Sequence, residues 1–498
     1  MLFNSLHFLI FFPIVVGIYY LVPYKFRNYW LLAASYYFYM CWNAKYAVLI
    51  LFSTVITYLS GIAIEKVKQA GLEEDLCRRR KKVCVAISFI LNLSVLFFFK
   101  YMNFGMETLN LILGRFHVVL NIPEFDILLP VGISFYTFQA LGYTVDVYRD
   151  EIYAERNFFR YALFVSFFPQ LVAGPIERSK NLLKQLAVCH KPSFNQFREG
   201  ILLMLWGYFL KVVLADRIAI FVDTVYGDIE TYTGFYLLVA TILFSIQIYC
   251  DFSGYSVIAM GTAKILGIDL MENFNAPYFA SSVAEFWRRW HISLSSWFKD
   301  YLYIPLGGNR KGKIRKYINL LITFGVSGLW HGANWTYVVW GLLNGIFQIV
   351  GDLLTPIKKA AVSFFDIKIG SLSHKLLKIF VTFALIDFTW IFFRASTVRE
   401  ALRIIKRIIV IHNPWVLLDG SLYTCGLDQK NFNLMIWGII LLGVADLCKY
   451  KGIKLRNVIA QQDYWAQCFL VVFFVLGILL FGIWGIGYDA ANFIYFQF

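Results

Sequence analysis

The chain has 498 residues, of which 59% are hydrophobic and only 15% charged, with 49 Phe, 31 Tyr and 14 Trp. That composition excludes an ordinary soluble domain. The net charge of +15 falls in short segments between apolar runs, which fits the loops of a membrane protein and not a nucleic-acid-binding domain.

A hydrocarbon layer about 30 Å thick is crossed by about 20 apolar residues in a helix. Apolar stretches near 8–22, 29–42, 46–64, 83–99, 127–147, 160–175, 200–225, 233–260, 317–350, 376–393, 432–447 and 467–487 predict roughly 11–13 helices, some short or re-entrant. The expected fold is therefore an all-α, polytopic integral membrane protein, read as one membrane domain over 1–498.

In chain order, the run Phe8 to Val22 has no basic region before it and no small-residue cleavage site after it. It reads as a retained span and not a signal peptide. Lys25 and Arg27 follow it, which places the N-terminus outside and the first turn in the cytoplasm. After three crossings the basic run Arg78-Arg79-Arg80-Lys81-Lys82 is then cytoplasmic as well.

From Trp287 to Lys316 eight Lys and Arg side chains alternate with Trp287, Trp290, Trp297, Tyr301 and Tyr303. Rings and snorkelling cations together suit the headgroup layer, so an interfacial helix with a basic loop is expected there. Arg394 to Arg407 and Lys449 to Arg456 are read as further cytoplasmic segments. Eight scattered cysteines contain no CxxC pair and no His/Cys cluster at metal spacing. No disulfide framework and no metal site are expected.

Of seven histidines, His7, His117, His190, His374 and His412 lie in or next to polar segments and read as solvated or capping groups. His331 differs, because from Ile322 to Trp340 the only other ionisable side chain is Tyr337. An ionisable group inside a membrane is costly to bury and marks a working site. An imidazole there can take a proton from a hydroxyl and return it to a leaving group, as acyl transfer requires. Gly328, Gly332 and Asn334 flank it, the glycines serving helix packing or close backbone approach, and Asn334 offering an amide to orient the ring or an oxyanion.

His291 has two readings: an interfacial histidine held by Ser295 one turn later, or a catalytic or donor-binding group. Arg288 and Arg289 beside it suit the phosphates of a pantetheine-linked donor or of lipid headgroups. Asp251 and Ser253, in the apolar run Ile246 to Tyr255, either line a passage or, for Asp251, form a paired structural carboxylate.

Several ordered stretches carry a resemblance to a known family: 129–139 (LPVGISFYTFQ), 168–176 (FPQLVAGPI), 249–255 (YCDFSGY), 273–278 (NFNAPY), 286–294 (FWRRWHISL), 329–332 (LWHG) and 390–394 (WIFFR). With these the sequence resembles the membrane-bound O-acyltransferase superfamily, in its bacterial branch of alginate O-acetylase membrane subunits. The resemblance implies helices around a central funnel or tunnel, with the two family histidines falling on His331 and His291. Trp330, beside His331 in the LWHG stretch, joins Asn334, Asp251, Ser253, Arg288 and Arg289 as candidate substrate- or donor-binding residues.

It also implies transfer of an acyl group, acetyl by default, from a cytoplasmic thioester across the bacterial cytoplasmic membrane to a hydroxyl. The product would be an O-acetylated cell-surface or exopolysaccharide. Acetyl-CoA or an acyl carrier protein would be the donor substrate, with no further cofactor. An extracytoplasmic serine-type O-acetyltransferase would be the partner, and membrane lipid the surroundings. Two alternatives stay open: teichoic-acid-type D-alanyl transfer from a carrier protein, and a transporter or export channel without covalent chemistry.

Overall fold

The computed structural model describes residues 1–117, 130–172, 174–484 and 493–494. Leu129 and Ala173 of the quoted stretches, Tyr495 to Phe498 of the chain's ending, and parts of the apolar stretches 127–147 and 467–487 lie outside the described residues.

All regular structure among the described residues is helical. Six helices are long and apolar enough to cross a membrane: Ala44–Gln69, Glu74–Gly114, Phe235–Ile265, Leu372–Arg394, Gln429–Tyr450 and Tyr464–Phe481. A seventh crossing results if Trp335–Leu353 and Thr355–Phe364, bent by 49° at their junction, count as one span.

Other apolar stretches fold as shorter pieces. The first becomes the 16-residue helix Leu6–Leu21, and 160–175 breaks into Phe158–Ser166 and Phe168–Leu171, with Pro169 at the start of the second. The stretch 200–225 is interrupted by a π-helical turn, Phe209–Ala215, which hydropathy does not register.

The chain divides into two compact units, Met1–Met204 with Ile258–Met271, and Leu205–Val257 with Glu272–Phe498. In the first, Ala47–Gln69, Glu74–Leu96 and Ile133–Tyr148 pack together through buried polar bonds. Ser53 donates to Asn92 at 2.6 Å, Ser88 and Thr144 share a hydrogen bond at 3.3 Å, and Tyr161 of the neighbouring helix Phe158–Ser166 donates to Thr57 at 2.6 Å. At one end Lys68 binds Asp150 at 2.5 Å, and this ammonium holds the Asp150 carboxyl below its ordinary range.

The second unit is built on a helical hairpin. Gly312–His331 runs up, Gly332-Ala333-Asn334 turns, and Trp335–Leu353 returns. The two helices cross with their backbones in contact, because a side chain on Gly328 would meet the Tyr337 carbonyl and one on Gly341 the Phe324 carbonyl. Packing is thus the function of Gly328. At the base of the hairpin Lys316 and Tyr317 both donate to Asp352, at 2.9 and 2.8 Å.

Leu372–Arg394 packs along the return helix. Asn344 joins three elements: its oxygen accepts from the Trp287 indole at 3.1 Å, and its amide donates to Trp340 O and to Thr389 at 2.9 and 3.3 Å.

Two expectations are corrected here. Trp287 in Val283–Arg289, Trp297 in Ile292–Phe298 and Trp290 between these two seven-residue helices are buried inside the protein, so their rings do not face headgroups. The segments Arg394–Arg407 and Lys449–Arg456 also cannot share a side. Leu372–Arg394 is about 35 Å long, with Arg394 bound to Asp223 at one end and Lys375 over the Tyr450 ring at the other.

Candidate active site

His331 is the last residue of its helix and is 3% exposed. Its ring is walled by Trp330, Trp340 and Phe393, with centroids at 4.9, 5.0 and 5.6 Å. The turn after it is fixed by Asn334, whose side-chain oxygen caps the return helix at Thr336 N, 3.0 Å, and whose amide donates to Ser396 O, 3.0 Å. Asn334 therefore shapes the turn with both ends of its amide.

His291 is fully buried, at 0% exposure, in the break between the two short helices. Its backbone is left-handed, φ 43° and ψ 54°, which costs a non-glycine residue about 1–3 kcal/mol unless the surroundings impose it. They do so here. Asn273 accepts from Ile292 N with its carbonyl at 2.9 Å and from Ser293 N with its side chain at 3.2 Å. Asn275 N donates to Arg289 O at 2.9 Å, and the Asn273 amide is itself anchored on Ser256 at 3.1 Å.

The clamp brings His291 beside Phe252, 4.6 Å between ring centroids, and within 6.3 Å of the His331 ring. Trp330 touches both imidazoles, at 6.0 Å from His291 and 4.9 Å from His331. The expectation of an interfacial His291 held by Ser295 is overturned, since the ring is buried and the Ser295 hydroxyl donates to Trp290 O at 3.2 Å.

Two cavities approach the pair. The larger, about 750 Å³, is lined by Arg288, Ile292, Ser295, Lys299, Lys316 and Ser327 among others, Ser327 being one turn before His331. The smaller, about 160 Å³, is lined by Asn334, Thr336, Tyr337, Phe393 and Arg394, together with Lys211 and Asp251. His331 lines neither: Phe393, in contact with its ring, lines the smaller space, and Trp340, also in contact with it, touches Trp287, which lines the larger.

The remaining candidates divide. Arg288 is exposed in the larger cavity, whereas Arg289 is committed to Glu285 at 2.9 Å and to Asn275 O at 3.1 Å. That pairing was visible as an i,i+4 match. Asp251 is a paired carboxylate, 2.6 Å from Lys211, which also binds Asp216 at 2.8 Å, and it accepts from Ile494 N at 2.8 Å.

Ser253 is buried on the same helix about 200° round from Asp251, so the two do not line one wall. Sequence reasoning missed Asn273, Asn344 and Asp387, the last accepting from Ser245 at 2.5 Å. Asp387 stood as an acid within an apolar run, the signal used for His331. No group of three His, Cys, Asp or Glu side chains able to hold a metal occurs among the described residues.

The family profile for MBOAT, membrane-bound O-acyltransferase family, matches residues 149–386. The probable alginate O-acetylase AlgI of Azotobacter vinelandii is 38% identical, over 84% of this chain and 80% of its own length. The peptidoglycan O-acetyltransferase of Helicobacter pylori is 34% identical, over 77% and 74%. The teichoic acid D-alanyltransferase of Streptococcus thermophilus is more distant, 28% identical over 52% and 65%.

Proposed function

Because this chain belongs to the membrane-bound O-acyltransferase family, we propose that it carries an acetyl group from a cytoplasmic thioester to a hydroxyl presented on the far side of the bacterial cytoplasmic membrane, with His331 as the base. The chain is a multi-pass membrane O-acyltransferase; the donor, the acceptor and the residue roles are our reading. It treats 1–498 as one membrane domain.

One observation carries it: His331 stands at the apex of the hairpin between two cavities, reached through Phe393 on the side of the smaller and through Trp340 and Trp287 on the side of the larger, cation-lined one. Arg288, Lys299 and Lys358 line the larger space beside the Lys316–Asp352 pair, cations of the kind a phosphate-bearing pantetheine donor requires. On this reading the larger cavity faces the cytoplasm and the smaller the acceptor. Acetyl-CoA and an acetylated carrier protein share the chemistry that the cations recognise.

In the reaction the acceptor oxygen attacks the thioester carbon while His331 takes its proton. The positive charge that develops on the imidazole lies at the C-terminal, negative end of a 20-residue helix, which favours it. The tetrahedral adduct collapses, the carbon–sulfur bond breaks, and the imidazolium returns the proton to the departing thiolate. His291 holds the donor against Trp330 and polarises its carbonyl. The rings around His331 exclude water, so hydrolysis does not compete. For both reactants to reach the imidazole, the side-chain layer on each side must move aside as they enter.

The relatives named for alginate and peptidoglycan acetylation support a cell-surface or extracellular glycan as acceptor; a partner acetyltransferase outside the membrane belongs to the same reading. The test is transfer of labelled acetyl from acetyl-CoA, or from an acetylated carrier, by purified chain in vesicles. Loss of transfer in His331→Ala with the fold intact is expected; full transfer by that variant removes His331 from the mechanism.

A further inference from the structure

We infer that the smaller cavity is an acceptor subsite for a neutral, hydroxyl-bearing group, a polyol or an uncharged sugar ring, recognised by Gln247 and Thr336. The inference rests on the acyl-transfer reading above and adds the acceptor class and the residues that select it.

Both side chains line the cavity. Gln247 is 7% exposed and Thr336 1%. The Gln247 Oε1 and the Thr336 hydroxyl are buried without a hydrogen-bond partner. An unpaired buried polar atom destabilises a fold, and folded proteins pair almost all of them. Two such atoms lining one cavity therefore mark groups kept for a ligand. Their chemistry is complementary to an alcohol: the amide oxygen accepts from its O–H, and the threonine hydroxyl donates to its oxygen. Thr336 lies five residues after His331 in the return helix, and Phe393, in contact with the His331 ring, shares the cavity wall.

The charges on the wall decide the rest. Lys211 is held by Asp216 and Asp251, at 2.8 and 2.6 Å, and Arg394 by Asp223 at 2.7 Å. Both cations among the lining residues are thus engaged, and three carboxylates face them. A carboxylate-bearing ligand would have to break one of these pairs beside an acidic wall, at a desolvation penalty that a neutral ring avoids.

The experiment uses the full chain in proteoliposomes with labelled acetyl thioester inside, and methyl glucoside or glucuronate outside. Expected are acetylation of methyl glucoside, at least tenfold weaker use of glucuronate, and a KM for methyl glucoside raised about 3- to 10-fold in each of Gln247→Leu and Thr336→Val. The KM for the thioester is expected to stay put. Since neither group has a partner inside the protein, both variants are also expected to melt at or above the wild-type temperature.

Equal or preferred use of glucuronate overturns the inference. So does an unchanged acceptor KM in both variants, or a drop in melting temperature in both. A preparation that cleaves the thioester only when His331 is present, yet acetylates neither probe, overturns the neutral-sugar subsite and leaves the acyl-transfer reading standing. Thioester cleavage indifferent to His331→Ala defeats that reading instead, whatever the acceptor results.

Discussion

The imidazoles of His291 and His331 meet edge to face, their ring centroids 6.3 Å apart and their planes at 64°, although forty positions separate them in the chain. One ring is presented by a strained turn and the other by a helix end. This pairing makes the two residues separable by experiment.

Replacing His331 by Ala is expected to lower acetyl transfer by about 10²- to 10⁴-fold, the usual worth of a positioned acid–base group. Donor binding should survive. The measurement is label transfer at saturating thioester beside equilibrium binding of a non-hydrolysable donor analogue, and loss of both together would argue for collapse of the site.

Asn273 is expected to matter through His291. Asn273→Ala leaves the buried Ser293 N–H without its acceptor, a destabilisation of about 1–3 kcal/mol. At temperatures where the variant stays folded, transfer should still fall through kcat, because the left-handed turn relaxes and the His291 ring leaves Trp330. Wild-type kcat in the folded variant would show that the clamp has no bearing on His291.

Gly341→Leu should separate the hairpin helices, since the new side chain meets the Phe324 carbonyl. Overpacking of this kind costs about 1–3 kcal/mol or more. Thermal unfolding in detergent should register it as a clear loss of stability, and an unchanged melting curve would contradict the backbone contact.

Charge reversal at the larger cavity, Arg288→Glu or Lys299→Glu, is expected to raise the KM for the thioester donor about 10-fold and to weaken its salt dependence. The acceptor KM should not follow. A shift of both constants together would mean that the two cavities serve one substrate.

Much of this site was legible in the residues. His331 stood out because one ionisable ring in an apolar run has few reasons to be there, and His291 because of the Trp and Arg around it. The break at His291 was not legible. It depends on Asn273 and Asn275, and nothing local to 286–294 indicates a left-handed residue held by a strand of chain eighteen positions earlier.

The breaks inside apolar stretches were not legible either. Hydropathy measures how apolar a stretch is, and is blind to the π-helical turn at Phe209–Ala215. Positive charge read locally put Arg394–Arg407 and Lys449–Arg456 on one side, whereas a 23-residue helix carries Arg394 to the end opposite Lys375. Asn344 escaped notice because an asparagine in an apolar helix gives no hint that a tryptophan fifty-seven positions away donates to it.

On the proposed mechanism the turn Gly332-Ala333-Asn334 joins the base, His331, to Thr336 in the acceptor wall. Within so short a link, whatever shifts the base toward its donor drags the acceptor wall along. Preferences for what is given and for what receives are therefore mechanically yoked at this point. A variant that exchanges one acceptor for another by moving the return helix should also retune how readily the thioester is cleaved, whereas substitutions on Phe235–Ile265, such as those at Gln247, act on the acceptor alone.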